Sequence, residues 1–377
     1  MVYFVTIVGL NPLQLVLVGT TLEATIFLFE VPTGVVADLY SRRLSTIIGV
    51  FLLGLGFLIE GAVPMFAVLL LAQVVWGLGW TFISGARSAW IADEVGQENV
   101  APVYLRGTQF NQLGSLLGIP LSVALGSVRL NLPILAGGGL YVLLALFLVL
   151  FMPEEGFEPA STEERKTWQA MFKTLRDGVG LIRKRPILIT FLVIGVFIGL
   201  SSEGYDRLWT AHILESFSFP TVGNLSSETW FGIMRGGSML LTCMTTEVVR
   251  RRLDEISFDT LARALQGIYG AMVAGVFLLA LTDHVLLAIL AYWVIETMRH
   301  TSFPLSEAWV NQHIESRVRA TVLAMTSQVD AVGQIIGGPI VGTIGTLFSL
   351  RSALAVTGVI LSPVVSLYGR TKRQRAS

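Results

Sequence analysis

The sequence predicts an all-α protein that crosses a membrane many times, and three observations carry that prediction. Hydrophobic residues fill 53% of the 377 positions and charged residues only 14%, against roughly 25% charged in a soluble domain. Apolar runs of helix length follow one another along the chain, and the mean hydropathy is +0.70. Lysine and arginine gather in alternate loops, the pattern of a chain threaded back and forth through a bilayer.

A membrane helix needs about 20 mostly apolar residues. That measure places spans at 14–37, 44–62, 65–86, 103–127, 131–152, 187–208, 229–249, 263–282, 285–304, 319–344 and 350–369, eleven in all. Residues 2–10 are apolar but too short to cross, and read as the tail of a further helix. The polar segment 153–185 divides the chain into an N-terminal bundle, 1–152, and a C-terminal bundle, 186–377, with a short basic tail. This linker opens on Pro153-Glu154-Glu155, holds an amphipathic stretch from Thr167 to Ile182, and closes on Arg183-Lys184-Arg185. Its seven Lys or Arg put it in the cytoplasm. Arg250-Arg251-Arg252, Arg317 with Arg319, and the tail from Arg370 mark the other inside loops. Loops 62–64, 210–228 and 282–284 carry no Lys or Arg. The chain is thus expected as a multi-pass protein of the inner (plasma) membrane with its C-terminus inside.

The formal net charge of zero argues against a nucleic-acid partner. There is no zinc-type cluster, phosphate-cradling loop or Ser-His-Asp arrangement, so neither a metal, a cofactor nor an enzymatic activity is expected. The single cysteine, Cys243, lies in an apolar run and reads as a small buried packing residue.

Between the first two full spans stands Glu30-Val-Pro-Thr-Gly34-Val-Val-Ala-Asp38-Leu-Tyr-Ser-Arg42-Arg43. The connection is a tight cytoplasmic turn, in which Gly34 would let a neighbouring helix approach closely and Asp38 can bind the arginine pair or a helix N-terminus. The spacing Gly-x3-Asp-x3-Arg-Arg resembles the loop signature of the major facilitator superfamily, and the preceding Glu-x-Pro-Thr-Gly resembles its bacterial drug-efflux members. Where the family usually has Gly before the basic pair, this chain has Ser41. The resemblance implies a gating loop at Gly34, Asp38, Arg42 and Arg43, and two pseudo-symmetric six-helix bundles that rock about a central cavity.

An internal repeat agrees with that fold. A shift of 219 residues superimposes Gly114, Gly118 and Pro120 on Gly333, Gly337 and Pro339, and Gln109 on Gln328. Both copies read Gly-x3-Gly-x-Pro, a flexible, closely packed helix motif. The same shift places the partner of span 187–208 before residue 1, and eleven spans with an inside C-terminus leave Met1 outside. Most of the first helix is therefore expected to be missing, through a start codon assigned too late or a clipped chain.

Ionisable residues within spans are costly and default to functional candidates. Glu23 lies mid-span, and Glu30 lies deeper toward the cytoplasm, either a proton or substrate group or a hinge residue paired with a basic partner. At the end of span 187–208, Glu203 and Arg207 can pair at i,i+4, and Arg235 in the next span can neutralise Asp206, forming an outer charge cluster. Glu296, Arg299 and His300 share one helix face, and Glu296 with His300 can handle a proton. Asp330 is the one acidic group in the middle of its span, with no basic residue within a turn, and is the first candidate for proton coupling. The superfamily commonly has an arginine tied to coupling at the position matched by Gln73. Trp76 and Trp80, one turn apart, either line a cavity or belong to an interface belt, where Trp90, Trp209, Trp230 and Trp293 read as anchors.

The resemblance, together with these residues, implies an expected function: a monomeric secondary transporter in the bilayer, coupled to protons and exporting a small amphipathic molecule. The alternatives are a nutrient importer of the same fold or a truncated membrane protein that does not transport.

Overall fold

The computed structural model describes residues 1–157, 186–220, 226–252, 258–311 and 316–375. The amphipathic stretch Thr167 to Ile182 and the Arg183-Lys184-Arg185 cluster lie outside the described residues, as do the side chains of Arg317 and Arg319. The helices are α1 (Val2–Thr6), α2 (Pro12–Leu39), α3 (Arg42–Ala62), α4 (Phe66–Ser84), α5 (Ala86–Val95), α6 (Val100–Val128) and α7 (Leu132–Phe151). They continue with α8 (Pro186–Ser216), α9 (Ser227–Arg252), α10 (Phe258–Leu281), α11 (Val285–Asn311), α12 (Ser316–Leu347) and α13 (Leu350–Arg375). No strand occurs among the described residues.

Each of the eleven expected spans corresponds to one helix. Among the described residues, seven stretches are long and apolar enough to cross a membrane: Pro12–Leu39, Arg42–Ala62, Phe66–Val95, Leu132–Phe151, Leu188–Ser216, Asp259–Leu281 and Leu350–Arg370. Several helices outrun the apolar segment that announced them. α8 continues to Ser216 and α11 to Asn311 because their charged residues find partners, so the backbone has no reason to leave its hydrogen-bond ladder. Pro32, Pro120, Pro304, Pro339 and Pro363 all sit inside helices. Long apolar helices keep such prolines because leaving the helix in lipid would expose more backbone than one lost bond.

The described chain falls into two compact units. One holds Val2–Gly9 and the described part of Thr21–Phe172; the other holds Leu10–Thr20 and the described residues from Pro186 on. In the first unit α3 is the hub, packed on α4 and α7. A Cβ built at Gly49 would lie 2.6 Å from the Gly79 carbonyl, and one at Gly54 2.9 Å from the Gly138 carbonyl. Backbone therefore meets backbone on both flanks of α3, the close van der Waals approach that holds helices together where lipid removes the hydrophobic drive. Val50, Leu53, Ile83 and Ala145 fill the seam.

In the second unit α8 packs on α12 and α13, α10 lies against α11 and α13, and α9 lies against α11. Its core includes Phe191, Leu265, Tyr269, Trp309 and Tyr368, with Phe191 stacked on Trp309 and Tyr269 on Tyr368. The buried His212 staples α8 to α10, its Nε2 2.9 Å from the Leu279 carbonyl and its Nδ1 3.1 Å from the Ser216 hydroxyl. A carbonyl can only accept, so Nε2 carries the proton and Ser216 donates to Nδ1. The first turns of α2 also belong here, with Leu13 N donating to Thr346 Oγ1 on α12 at 2.9 Å.

The two copies of the glycine motif behave differently. A Cβ at Gly333 would meet Leu200 N at 2.8 Å, and Gly337 is packed against the Leu200 backbone, so this copy is a close α8–α12 seam. The expectation of close packing fails for Gly114 and Gly118, where an added Cβ meets nothing within 4 Å. α6 packs on α7, and its Gly-x3-Gly face meets no described helix. Gly34 is a second correction: an added Cβ there also meets open space, because the C-terminal end of α2 is not crowded at that position. Cys243 is a third. It is exposed on the Leu240–Met244 side of α9 rather than buried.

Candidate functional site

The loop singled out in the sequence is built around Arg42 and Ser41 at the start of α3. Arg42 pairs with Asp93 on α5 and reaches the Ala89 carbonyl at 3.3 Å, while Asp38 stands 3.8 Å away and largely exposed. Asp93 thus takes the main charge contact expected of Asp38, because α5 brings its carboxylate alongside the arginine. Ser41 adopts an extended backbone (φ −174, ψ 125) and caps α3, its Oγ accepting from Leu44 N at 2.9 Å. The same hydroxyl donates to Glu154 at 2.6 Å, and the other Glu154 oxygen accepts from Arg43 N at 2.8 Å. An acidic group at a helix N-terminus satisfies orphan amides and complements the dipole. Arg43 donates to the Val149 carbonyl. Trp90 Nε1 donates to the Pro153 carbonyl, and Glu94 accepts from the amides of Glu155 and Gly156. The residues that open the linker are thereby fastened to α3 and α5.

Elsewhere in this unit the partner expected for Glu30 is corrected. Its contact is the Ser84 hydroxyl rather than a basic side chain, since α4 and not the arginine pair runs beside it. Glu23 is half-buried on α2. Gln73, at the position where the superfamily commonly has arginine, is buried and donates to the buried Glu60 at 2.9 Å. Trp76 and Trp80 stack with centroids 5.7 Å apart, and Trp76 meets Phe57 edge-on.

The second unit gathers the remaining candidates. Glu203 pairs with Arg207 at 3.1 Å as the i,i+4 spacing predicts. Asp206 is not neutralised by Arg235: Arg299 on α11 binds both its oxygens, and Arg235 on α9 stands 3.7 Å from Glu296. Glu296 lies three residues before Arg299, so α9 meets the first while α8 meets the second. Glu296 is buried and also 3.8 Å from His300, itself mostly exposed. Trp293 donates to the Met234 carbonyl and packs on Gly237, which joins α9 to α11.

Asp330 opens into a cavity of about 520 Å³ inside this bundle. Its walls come from α8 (Phe191, Ser201, Ser202, Tyr205), α10 (Tyr269, Met272), α11 (Arg299, Ser302, Ser306), α12 (Thr326, Ser327) and α13 (Thr357, Tyr368). Gln334 donates to Asp330 at 2.7 Å, and no ion pair of Asp330 occurs among the described residues. The α12 backbone at this residue is clamped. A methyl group on Gly199 of α8 would overlap the Asp330 carbonyl. The sequence points to Asp330 as an acid alone in its span, but nothing in it shows that Arg299, Tyr205 and Tyr269 converge on the same space.

Long apolar helices, a charged turn between α2 and α3 and a cavity within a helical bundle fit a protein of the membrane. The family model of the Major Facilitator Superfamily matches residues 1–327, and the chain belongs to that superfamily. It is a multi-pass secondary transporter and not an enzyme. A relative described as an uncharacterized MFS-type transporter, YxaM of Bacillus subtilis (strain 168), is 23% identical over 360 residues, covering 94% of this chain and 86% of its own. Among solved structures, the fold is similar to a mutant form of the nucleoside transporter NupG, with a TM-score of 0.79 at 14% identity over 97% of this chain and 92% of that one. A POT family transporter in complex with a thioalcohol-conjugated peptide gives 0.74 at 14% identity, covering 99% and 92%. A bacterial homologue of the lysosomal transporter Spinster, inward-facing and unoccupied, gives 0.72 at 15%, covering 98% and 91%.

Proposed function

We propose that this transporter, in the inner membrane and as a monomer, exports small amphipathic compounds in exchange for protons. The observation that carries the reading is Asp330: a carboxylate in the bundle cavity, held by the Gln334 amide and facing a mostly apolar wall. Such a group can be neutralised by a proton from one side of the membrane and discharged to the other, the usual use of a carboxylate at this depth. The loop at Gly34, Asp38, Arg42 and Arg43 acts as the cytoplasmic gate, with Arg42–Asp93 as the pair that makes and breaks. Glu296 with His300, Glu23 and Glu30 serve as secondary proton sites, the Asp206–Arg299 pair meets the cavity through Arg299, and Glu203–Arg207 belongs to an outer charge cluster.

The test is uptake into proteoliposomes under an imposed pH gradient with a panel of amphipathic compounds. Asp330→Asn is expected to abolish gradient-driven transport while leaving insertion intact; unchanged transport would overturn the assignment. A second reading, import of a polar nutrient, is favoured by the hydroxyls of Ser201, Ser202, Ser302 and Ser306 on the cavity wall. Counterflow of nucleosides and peptides, the cargo named for the structural neighbours, separates the two.

We also infer that the bare Gly114–Gly118 face of α6 is the seat of a helix equivalent to α8, which fills the matching Gly333–Gly337 face of α12. The inference rests on that symmetry. The intact mass of the protein from its native membrane tests it: about 3 kDa above 41.0 kDa, the mass of a further span, is expected. A mass of 41.0 kDa would overturn it.

A further inference from the structure

We propose that the cavity of the C-terminal unit binds a small aromatic amine, whose ammonium group sits on the Asp330 carboxylate in place of a proton. This rests on the reading of Asp330 as the proton-carrying group and adds the class of cargo.

Charge selects the cation. Among the described residues the cavity has one positive side chain, Arg299, and its two terminal nitrogens donate to Asp206. Asp330 inside and the exposed Glu307 at the lining make no ion pair among the described residues, so a carboxylate ligand finds no free cation there and two acids beside it. A neutral ligand leaves the proton on Asp330 and gains no ion pair there. An ammonium group supplies both charge and donors.

The walls select the rest of the molecule. Phe191, Tyr205, Tyr269, Phe303 and Tyr368 face the space, and their rings favour a cation with an attached aromatic group. The volume, about 520 Å³, falls in the ordinary range for small-molecule sites.

The exchange balances. Protonated Asp330 and a free ammonium ion become a carboxylate–ammonium pair and one released proton, with no net change of charge in the cavity. The groups facing that step are Tyr205 and Asp206 from α8, Tyr269 from α10, Arg299 and Glu307 from α11, Gln334 on α12 itself, and Tyr368 from α13.

The experiment is titration calorimetry on the purified full chain in detergent. The ligands are 2-phenylethylamine and 2-naphthylethylamine, each compared with the alcohol and the carboxylate of the same shape, in two buffers of different ionisation enthalpy. The amines are expected to bind at least about tenfold more tightly than the alcohols, the carboxylates not to bind, and binding to release a proton. Asp330→Asn should erase the preference for amine over alcohol. Equal binding of amine and alcohol, no amine binding, or an amine preference that survives in Asp330→Asn would overturn the proposal. Should that variant fail to fold, the three-way ligand comparison on the unaltered chain decides alone. Amine binding without proton release would sink the proton-coupled reading and leave the amine site standing. Transport that depends on Asp330 in vesicles, with no amine bound, would do the reverse.

Discussion

Arg299 on α11 holds both carboxylate oxygens of Asp206 on α8, and this pair fixes how the two helices face one another beside the cavity. The side chains are 36% and 35% exposed, so the bridge lies between a surface pair and a buried one. Replacing Arg299 by Gln strips Asp206 of its partner and should cost about 1–3 kcal/mol, between the limits for exposed and buried pairs. Thermal unfolding in detergent measures it. The double variant Asp206→Asn/Arg299→Gln should recover part of the loss, since neither charge is then left alone.

Gln73 and Glu60 make a second pair, wholly buried. Gln73→Leu removes one donor from the carboxylate and should lower stability by about 1–3 kcal/mol. Glu60→Gln keeps a hydrogen-bonded pair and should be milder. Comparing the two unfolding midpoints checks the order; a milder Gln73→Leu would contradict the pairing.

Ser41 is expected to matter through its oxygen. Ser41→Ala loses the cap of α3 and the bond to Glu154, a cost of about 1 kcal/mol on the scale of N-caps. Ser41→Gly restores the residue usual in the family and should cost only a few tenths of that amount. Glu154→Gln should leave the Ser41 cap in place and weaken the helix start less than Ser41→Ala does. Thermal shift of the three variants, in parallel, gives the ranking.

The α8–α12 seam admits almost nothing. Gly337→Leu and Gly199→Ala force side-chain atoms into backbone and should abolish folded expression or lower the midpoint steeply. Fluorescence-detected size exclusion reports both. A wild-type elution profile for Gly199→Ala would mean that the helices lie farther apart.

Much of this architecture is legible because lipid imposes a plain rule: a crossing helix must be apolar for its whole length. All eleven segments chosen on that rule are helices, and Glu203–Arg207 follows from i,i+4 spacing alone. What escapes is pairing across helices. Similar depth in successive spans matches Asp206 to Arg235, whereas the fold turns Asp206 toward α11. Arg42–Asp93 and Glu154–Ser41 join residues 51 and 113 positions apart, and no local periodicity encodes such distances. Glycine spacing is also an incomplete guide. Gly114–Gly118 and Gly333–Gly337 share one spacing, yet among the described residues a helix closes against the second pair and not the first, and packing depends on the neighbour as much as on the motif.

The clamp between Gly199 and the backbone of Asp330 has a consequence for how a proton travels. Where main chain lies on main chain there is no width for a file of water molecules, so that flank of Asp330 is dry. In the proposed exchange a proton therefore cannot reach Asp330 across this seam, and a leak of protons past a seated molecule would have no route there.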